Sequence, residues 1–186
     1  MKRKISKISK KIVAGILLVT MMAGISACGK SSNAVDDSVS IETIHEAIKD
    51  AYGDNYLPDM LLSDDEIMAL YGISNDWYEE AIAEVPMISV NVDTLIAVKA
   101  EKDHVEDVQN ALTSYKEYLE NDSFQYPMNV PKIQASTVVT RGNYVFFIML
   151  GVGADDIEDQ SEDDQVKAYG ELNQIAIDAI DGLLLK

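Results

Sequence analysis

Cys28 is the residue with the most definite chemistry in this sequence. It is the sole cysteine, and it closes the string Ile25-Ser26-Ala27-Cys28. Six basic side chains precede it (Lys2, Arg3, Lys4, Lys7, Lys10 and Lys11), then an apolar run from Ile12 to Met22, then small residues Ala23, Gly24, Ser26 and Ala27. A charged end, an apolar stretch and a small-residue terminus make a secretory signal. A cysteine at its close resembles a bacterial lipoprotein signal, with cleavage between Ala27 and Cys28. The Cys28 sulfur then forms a thioether to a diacylglyceryl group and its amine gains a further acyl chain. Two or three chains anchor stably, whereas one myristoyl-length chain holds only marginally. A plain transmembrane anchor fits less well, because Ile12 to Ala27 supplies 16 residues where a span needs about 20. One cysteine permits no internal disulfide, and lipidation removes it as a nucleophile.

The other groups with chemical potential are weaker. His45 and His104 lie among acids, in Thr43-Ile44-His45-Glu46 and Asp103-His104-Val105-Glu106. Neither has a second histidine at ligand spacing, there is no HExxH, and cysteine ligands for zinc are lacking; both read as solvated helix positions. The cluster Asp155, Asp156, Glu158, Asp159, Glu162, Asp163 and Asp164 offers oxygen ligands of the kind calcium takes, without the EF-hand spacing or its central glycine. It reads as a solvated loop before a helix start, where acids suit the dipole. Gly151-Val152-Gly153-Ala154 lacks the third glycine of a dinucleotide fingerprint. No nucleophile elbow G-x-S-x-G is present. Aromatic pairs at Tyr52/Tyr56, Trp77/Tyr78, Tyr115/Tyr118 and Phe124/Tyr126 either cover a core, with the phenol reaching water, or form a peptide or glycan platform.

Charge narrows the partners. With the signal removed, nine basic residues face 32 acids over 159 residues, a net charge of −23 against −17 for the whole chain. Nucleic acid is excluded on that basis, since its affinity rests on Lys and Arg at phosphates. Arg141 is the only arginine after the signal, which argues against a guanidinium phosphate clamp.

These residues need elements to hold them. Residues 1–27 read as the signal, 28–38 as the lipidated cysteine and a polar tether, and 39–186 as a single domain. Helical spacing predicts a helix from about Val39 to Tyr52 with Ile41, Ile44, Ile48 and Ala51 on its apolar face. A short helix follows the capping box Ser63-Asp64-Asp65-Glu66, carrying Ile67 and Leu70 to Gly72. Asp76 to Val85 fits helix or strand, and Pro86 bars a central-strand position. Met87–Val90, Thr94–Ala100, Ile133–Thr140 and Tyr144–Leu150 read as strands, the last two joined by turn residues Arg141-Gly142-Asn143. Asp103–Asn121 reads as a capped helix with the stripe Val105, Val108, Leu112, Tyr115 and Leu119. Phe124–Pro131 reads as a loop. A last helix spans about Asp164 to Leu184 through Val166, Tyr169, Leu172, Ile175 and Ala179. The order predicts an α+β domain: a mainly antiparallel sheet of about four strands covered by amphipathic helices.

The strand Asp93-Thr94-Leu95-Ile96-Ala97-Val98-Lys99-Ala100, the helix carrying Val105 to Leu112, the Tyr126-Pro127 loop and the hairpin ending Gly142-Asn143-Tyr144-Val145 together resemble a domain-of-unknown-function family, number 4358, of bacterial, mostly Firmicutes, lipoproteins. The resemblance spans roughly residues 40–151. It implies a cell-surface lipoprotein and supplies no catalytic residue.

The expectation is an extracytoplasmic lipoprotein, held on the cell membrane through Cys28, whose domain binds an envelope protein or a small ligand without catalysis and without cofactor or metal. An envelope hydrolase built from scattered serine or carboxylate groups and a passive structural spacer are the alternatives.

Overall fold

The strand Tyr144–Met149 (β5) is apolar at every position and buried at every position, which requires cover on both faces. In this computed structural model, which describes residues 34–88, 90–153 and 157–185, the cover comes from helices on either side of a five-stranded sheet. The strands are Met60–Leu61 (β1), Tyr78–Val85 (β2), Thr94–Ala100 (β3), Thr137–Arg141 (β4) and β5. Their order is β1-β2-β3-β5-β4, and every neighbouring pair is antiparallel.

Strand alternation sorts the core into two halves. Leu95, Ala97, Tyr144, Phe146 and Ile148 turn toward Ile41–Tyr52 (α1) and Glu162–Leu184 (α5). Ile96, Val98, Val145, Phe147 and Met149 turn toward Asp64–Tyr71 (α2) and Val105–Asn121 (α3). The β3–β5 register pairs Leu95 with Ile148 and Ala97 with Phe146, and the small Ala97 leaves room beside the Phe146 ring. Full burial of each large side chain contributes about 1.5–3 kcal/mol. A short helix, Val130–Ala135 (α4), packs on α5 and α3 and closes one end of the sheet.

The α+β class, the antiparallel sheet and the β4–β5 hairpin stand as expected, but the strands number five. Of Asp76–Val85, Asp76 and Trp77 close a 3-10 turn and Tyr78–Val85 is β2, which ends one residue before Pro86. Of the strand expected at Met87–Val90, the described residues Met87, Ile88 and Val90 lie in no strand. Pro86 has no N–H for a ladder, the Met87 N–H is taken by the Asp59 carboxylate at 2.7 Å, and Asn91 N–H closes a turn onto Ile88 O. Ile133–Ala135 belongs to α4, not to a strand. Pro127 and Pro131 each sit at the start of a helical turn, where a missing N–H costs nothing. The α1 face uses Tyr52 in place of Ala51, which is exposed, and Leu70 of α2 points outward. Along α5 the buried stripe is Asn173, Ala176, Ile180 and Leu184. Buried Asn173 disguises it: its Oδ1 accepts from Leu150 N–H and its amide donates to Ala135 O, both at 2.9 Å.

Candidate functional site

At the end of the sheet where β3 begins and β5 ends, a cleft of about 430 Å³ opens to solvent. Its floor holds Asp93 and Lys132. The turn before β3 places Asp93, whose N–H donates to Asn91 Oδ1 at 2.8 Å, and Pro131 starts the helical turn that carries Lys132. The Asp93 side chain is 0% exposed and that of Lys132 9%. The Lys132 ammonium donates to Asp93 Oδ1 and to Gly151 O at 2.8 Å, while Gly151 N–H donates to Asp93 Oδ2 at 2.9 Å. Tyr169 lies below, its ring centroid 5.5 Å from Lys132 Nζ.

Burial pushes the Asp93 carboxyl above the ordinary carboxylate value, opposed by Lys132 and by the backbone N–H bonds. Burial likewise pulls Lys132 below the ordinary lysine value, opposed by Asp93. Each Asp93 oxygen has a nitrogen partner, Lys132 Nζ at Oδ1 and Gly151 N–H at Oδ2, so neither is left unsatisfied by burial. Gly151 has φ +100°, and a Cβ there would lie 2.9 Å from Leu172 Cβ. The Gly151-Val152-Gly153 run therefore serves a close backbone approach to α5 and forms a wall of the cleft, which accounts for its glycines without a phosphate.

The rim is apolar: Leu57, Val90, Met128 and Val152 are exposed and line the opening. Met87 and Ile88, close before Val90 in the chain, are 71% and 69% exposed. Amide groups sit between rim and floor, with Asn129 Nδ2 donating to Val90 O at 3.0 Å. The lining contains no serine, threonine or cysteine among the described residues. The cleft can thus enclose an apolar group against a rigid polar floor whose ammonium is already committed.

The residues singled out from the sequence fall elsewhere. Ala27, Cys28, Asp155 and Asp156 lie outside the described residues. His45 is not a solvated position: it is 8% exposed and its Nε2–H donates to Glu84 Oε2 at 2.6 Å. Tyr56 Oη donates to the same oxygen at 2.8 Å, and Lys49 Nζ stands 3.8 Å from Glu84 Oε1. Burial, then the bond to Glu84, raises the Tyr56 phenol well above the ordinary value. The proton therefore stays on tyrosine, and the cluster is a satisfied polar clamp between α1 and β2. His104 stacks on Trp77 at 5.9 Å and bonds Asp107 at 2.7 Å. It occupies the α3 N-cap without a side-chain cap bond, contrary to the capped start expected there. Glu162, Asp163 and Asp164 form the first turn of α5, behind the Ser161 cap. Among the described residues no three His, Cys, Asp or Glu side chains converge as a metal-ligand set.

Of the aromatic pairs, Tyr52 and Tyr115 are core-facing. Tyr52 donates to Leu172 O at 2.6 Å. Tyr115 meets Tyr71 and Phe147 edge-on, its phenol pushed up to about 12 by burial. Phe124, at 97% exposure, and Tyr126 face outward. No described helix is long and apolar enough to cross a membrane.

Sequence reading missed Asp93 and Lys132. The available signal was a lysine between Pro131 and Ile133 in a domain poor in cations, and an aspartate opening an apolar strand.

Residues 51–150 match the model of a family described as Domain of unknown function (DUF4358). That span holds all five strands, Asp93 and Lys132, and it is more than half of the chain. No curated protein and no solved structure matches the chain significantly.

Proposed function

The chain belongs to the DUF4358 family, and for this member we propose the role of a lipid-anchored extracytoplasmic binding module that works through the cleft above Lys132 and Asp93. The observation that carries the reading is the contrast inside that cleft. Its rim leaves Leu57, Val90, Met128 and Val152 in water, and clustered exposed apolar groups mark interaction sites. Its charged floor is internally paired and serves as a rigid base. Apolar walls with a few fixed polar groups suit recognition. The ligand class is an apolar side chain of an envelope protein, or a small amphipathic molecule, with amide-type hydrogen-bonding groups beside its apolar part. The anchor rests on the signal-type pattern of residues 1–27 and the cysteine that follows it, Cys28.

A photo-reactive amino acid placed at Met128 in the full chain, in the cells that make it, tests the cleft. The expected outcome is an adduct of one defined mass, lost when Val90→Asp is added. The same group at Met68, exposed on α2 outside the cleft, gives none. No adduct from position 128, or equal labelling from both, contradicts the reading.

A further inference from the structure

Strand β2 is bonded along its inner side to β3. On its outer side, β1 pairs only with Val85 and Glu84. Asp59 N–H donates to Val85 O at 3.1 Å and Leu62 N–H to Ala83 O at 2.9 Å, so the odd-numbered residues turn their backbone groups outward. Strand alternation puts the N–H and C=O of Ala81 on the same outer edge. After Leu62 the chain leaves through Ser63 into α2. Among the described residues no strand pairs with that edge at Ala81.

A groove of about 420 Å³ follows this edge, with Ile41, Leu61 and Ile82 as apolar lining and Ala81, Glu42, Glu80 and His45 beside them, the His45 ring being already bonded to Glu84. The Ala81 methyl packs on the far face with the cluster of Ile67 and Tyr71, so Ala81 meets the groove with its backbone. Leu61 is 62% exposed. An apolar lining next to an unpaired backbone edge is the geometry of strand addition.

Charge selects the occupant. Glu42 borders the groove, Glu79 and Glu80 sit on β2 itself, and Asp64 and Asp65 act on the Tyr78 phenol at the start of the strand. Lys99 is the cation among them, 3.2 Å from Glu79 and 3.9 Å from Glu80, and Glu80 also accepts the Ile41 N–H at 2.8 Å. A second copy of this chain would set like charges opposite one another, which destabilises a strand pair; such acids protect an edge against self-pairing. A cationic strand meets the opposite condition. We propose that the open outer edge of β2 takes an extended, lysine-bearing segment of a partner protein as an added strand.

The test uses a fluorescent decapeptide of alternating lysine and valine, titrated against the full chain in non-ionic detergent micelles with empty micelles as blank. Saturable binding that weakens as salt rises is expected, together with no comparable binding of the glutamate–valine counterpart. N-methylation of one alternate set of peptide amides weakens binding about tenfold or more while methylation of the other set does not, because only one edge of an added strand bonds β2. Ala81→Pro removes the outward N–H and abolishes binding. The N-methyl series on the unaltered chain decides the matter should that variant not fold. Equal effects of the two methylated sets, equal binding of the glutamate peptide, or full binding by folded Ala81→Pro overturns the proposal. So does a dimer that Ala81→Pro dissolves, which would assign the edge to a second copy.

Discussion

Asp93, Lys132 and Gly151 set the geometry of the cleft, and each is explained by what the other two require. Gly151 adopts a backbone conformation side chains rarely take, against α5, which turns its N–H toward Asp93 and its carbonyl toward Lys132. Removing one partner of a buried pair leaves the other charge uncompensated, at about 3–5 kcal/mol. We therefore expect Lys132→Met and Asp93→Leu each to lower unfolding free energy by about that amount in denaturant titrations. The double variant should lose clearly less than the sum of the two. Strict additivity would mean the pair does not couple. Each residue is faintly marked in the sequence by its apolar surroundings, but their pairing is not, because one lysine and one aspartate 39 positions apart carry no spacing rule; only the fold brings them together. Asn173 misled for a related reason. A polar residue in a core stripe reads as a surface position until its two backbone partners, on β5 and α4, are seen.

At the scale of elements, α2 was fully readable at its start. Ser63 Oγ accepts from Glu66 N–H at 3.4 Å, while Ser63 N–H and Oγ donate to the Glu66 carboxylate at 2.8 and 2.7 Å. The Ser63 hydroxyl, then its N–H, holds the Glu66 carboxyl below its ordinary value of 4.5. A depressed folded-state value means that the cap's contribution is present above the ordinary value and is lost as pH falls through the depressed one. An NMR titration should give a Glu66 midpoint below 4.5 that rises in Ser63→Ala, with the loss of amide protection in the first turn of α2 at acid pH larger in the unaltered chain than in that variant. An unchanged midpoint in Ser63→Ala would remove the hydroxyl as the cause. Strands were legible where burial is uniform, as in β5, or where a turn fixes the pairing, as at Gly142 with φ +58°. They were illegible where tertiary bonds decided. β1 has two residues and exists because β2 offers an edge. Met87–Val90 has the composition of a strand but loses its ladder to Pro86 and Asp59.

The whole chain joins a basic N-terminal segment to a strongly acidic domain. The domain's single arginine, Arg141, is spent on a two-pronged bond to Asp181, Nε to Oδ1 at 2.7 Å and Nη2 to Oδ2 at 3.0 Å, and Lys99, Lys116 and Lys132 are likewise paired with acids. The surface left to a partner is therefore apolar at the cleft and anionic along β2. It would complement an amphipathic or cationic ligand, while the lipid proposed at Cys28 would hold the domain at the membrane. Intact-mass spectrometry of the protein extracted from membranes bears on that whole arrangement at once. The predicted result is a chain of 159 residues beginning at Cys28, heavier by a diacylglyceryl group with or without an amide-linked acyl chain. In Cys28→Ala the lipid increment is absent and the product is either released or left as unprocessed precursor. A membrane-extracted chain that begins at Met1, or one whose Cys28 thiol is unmodified, would contradict it.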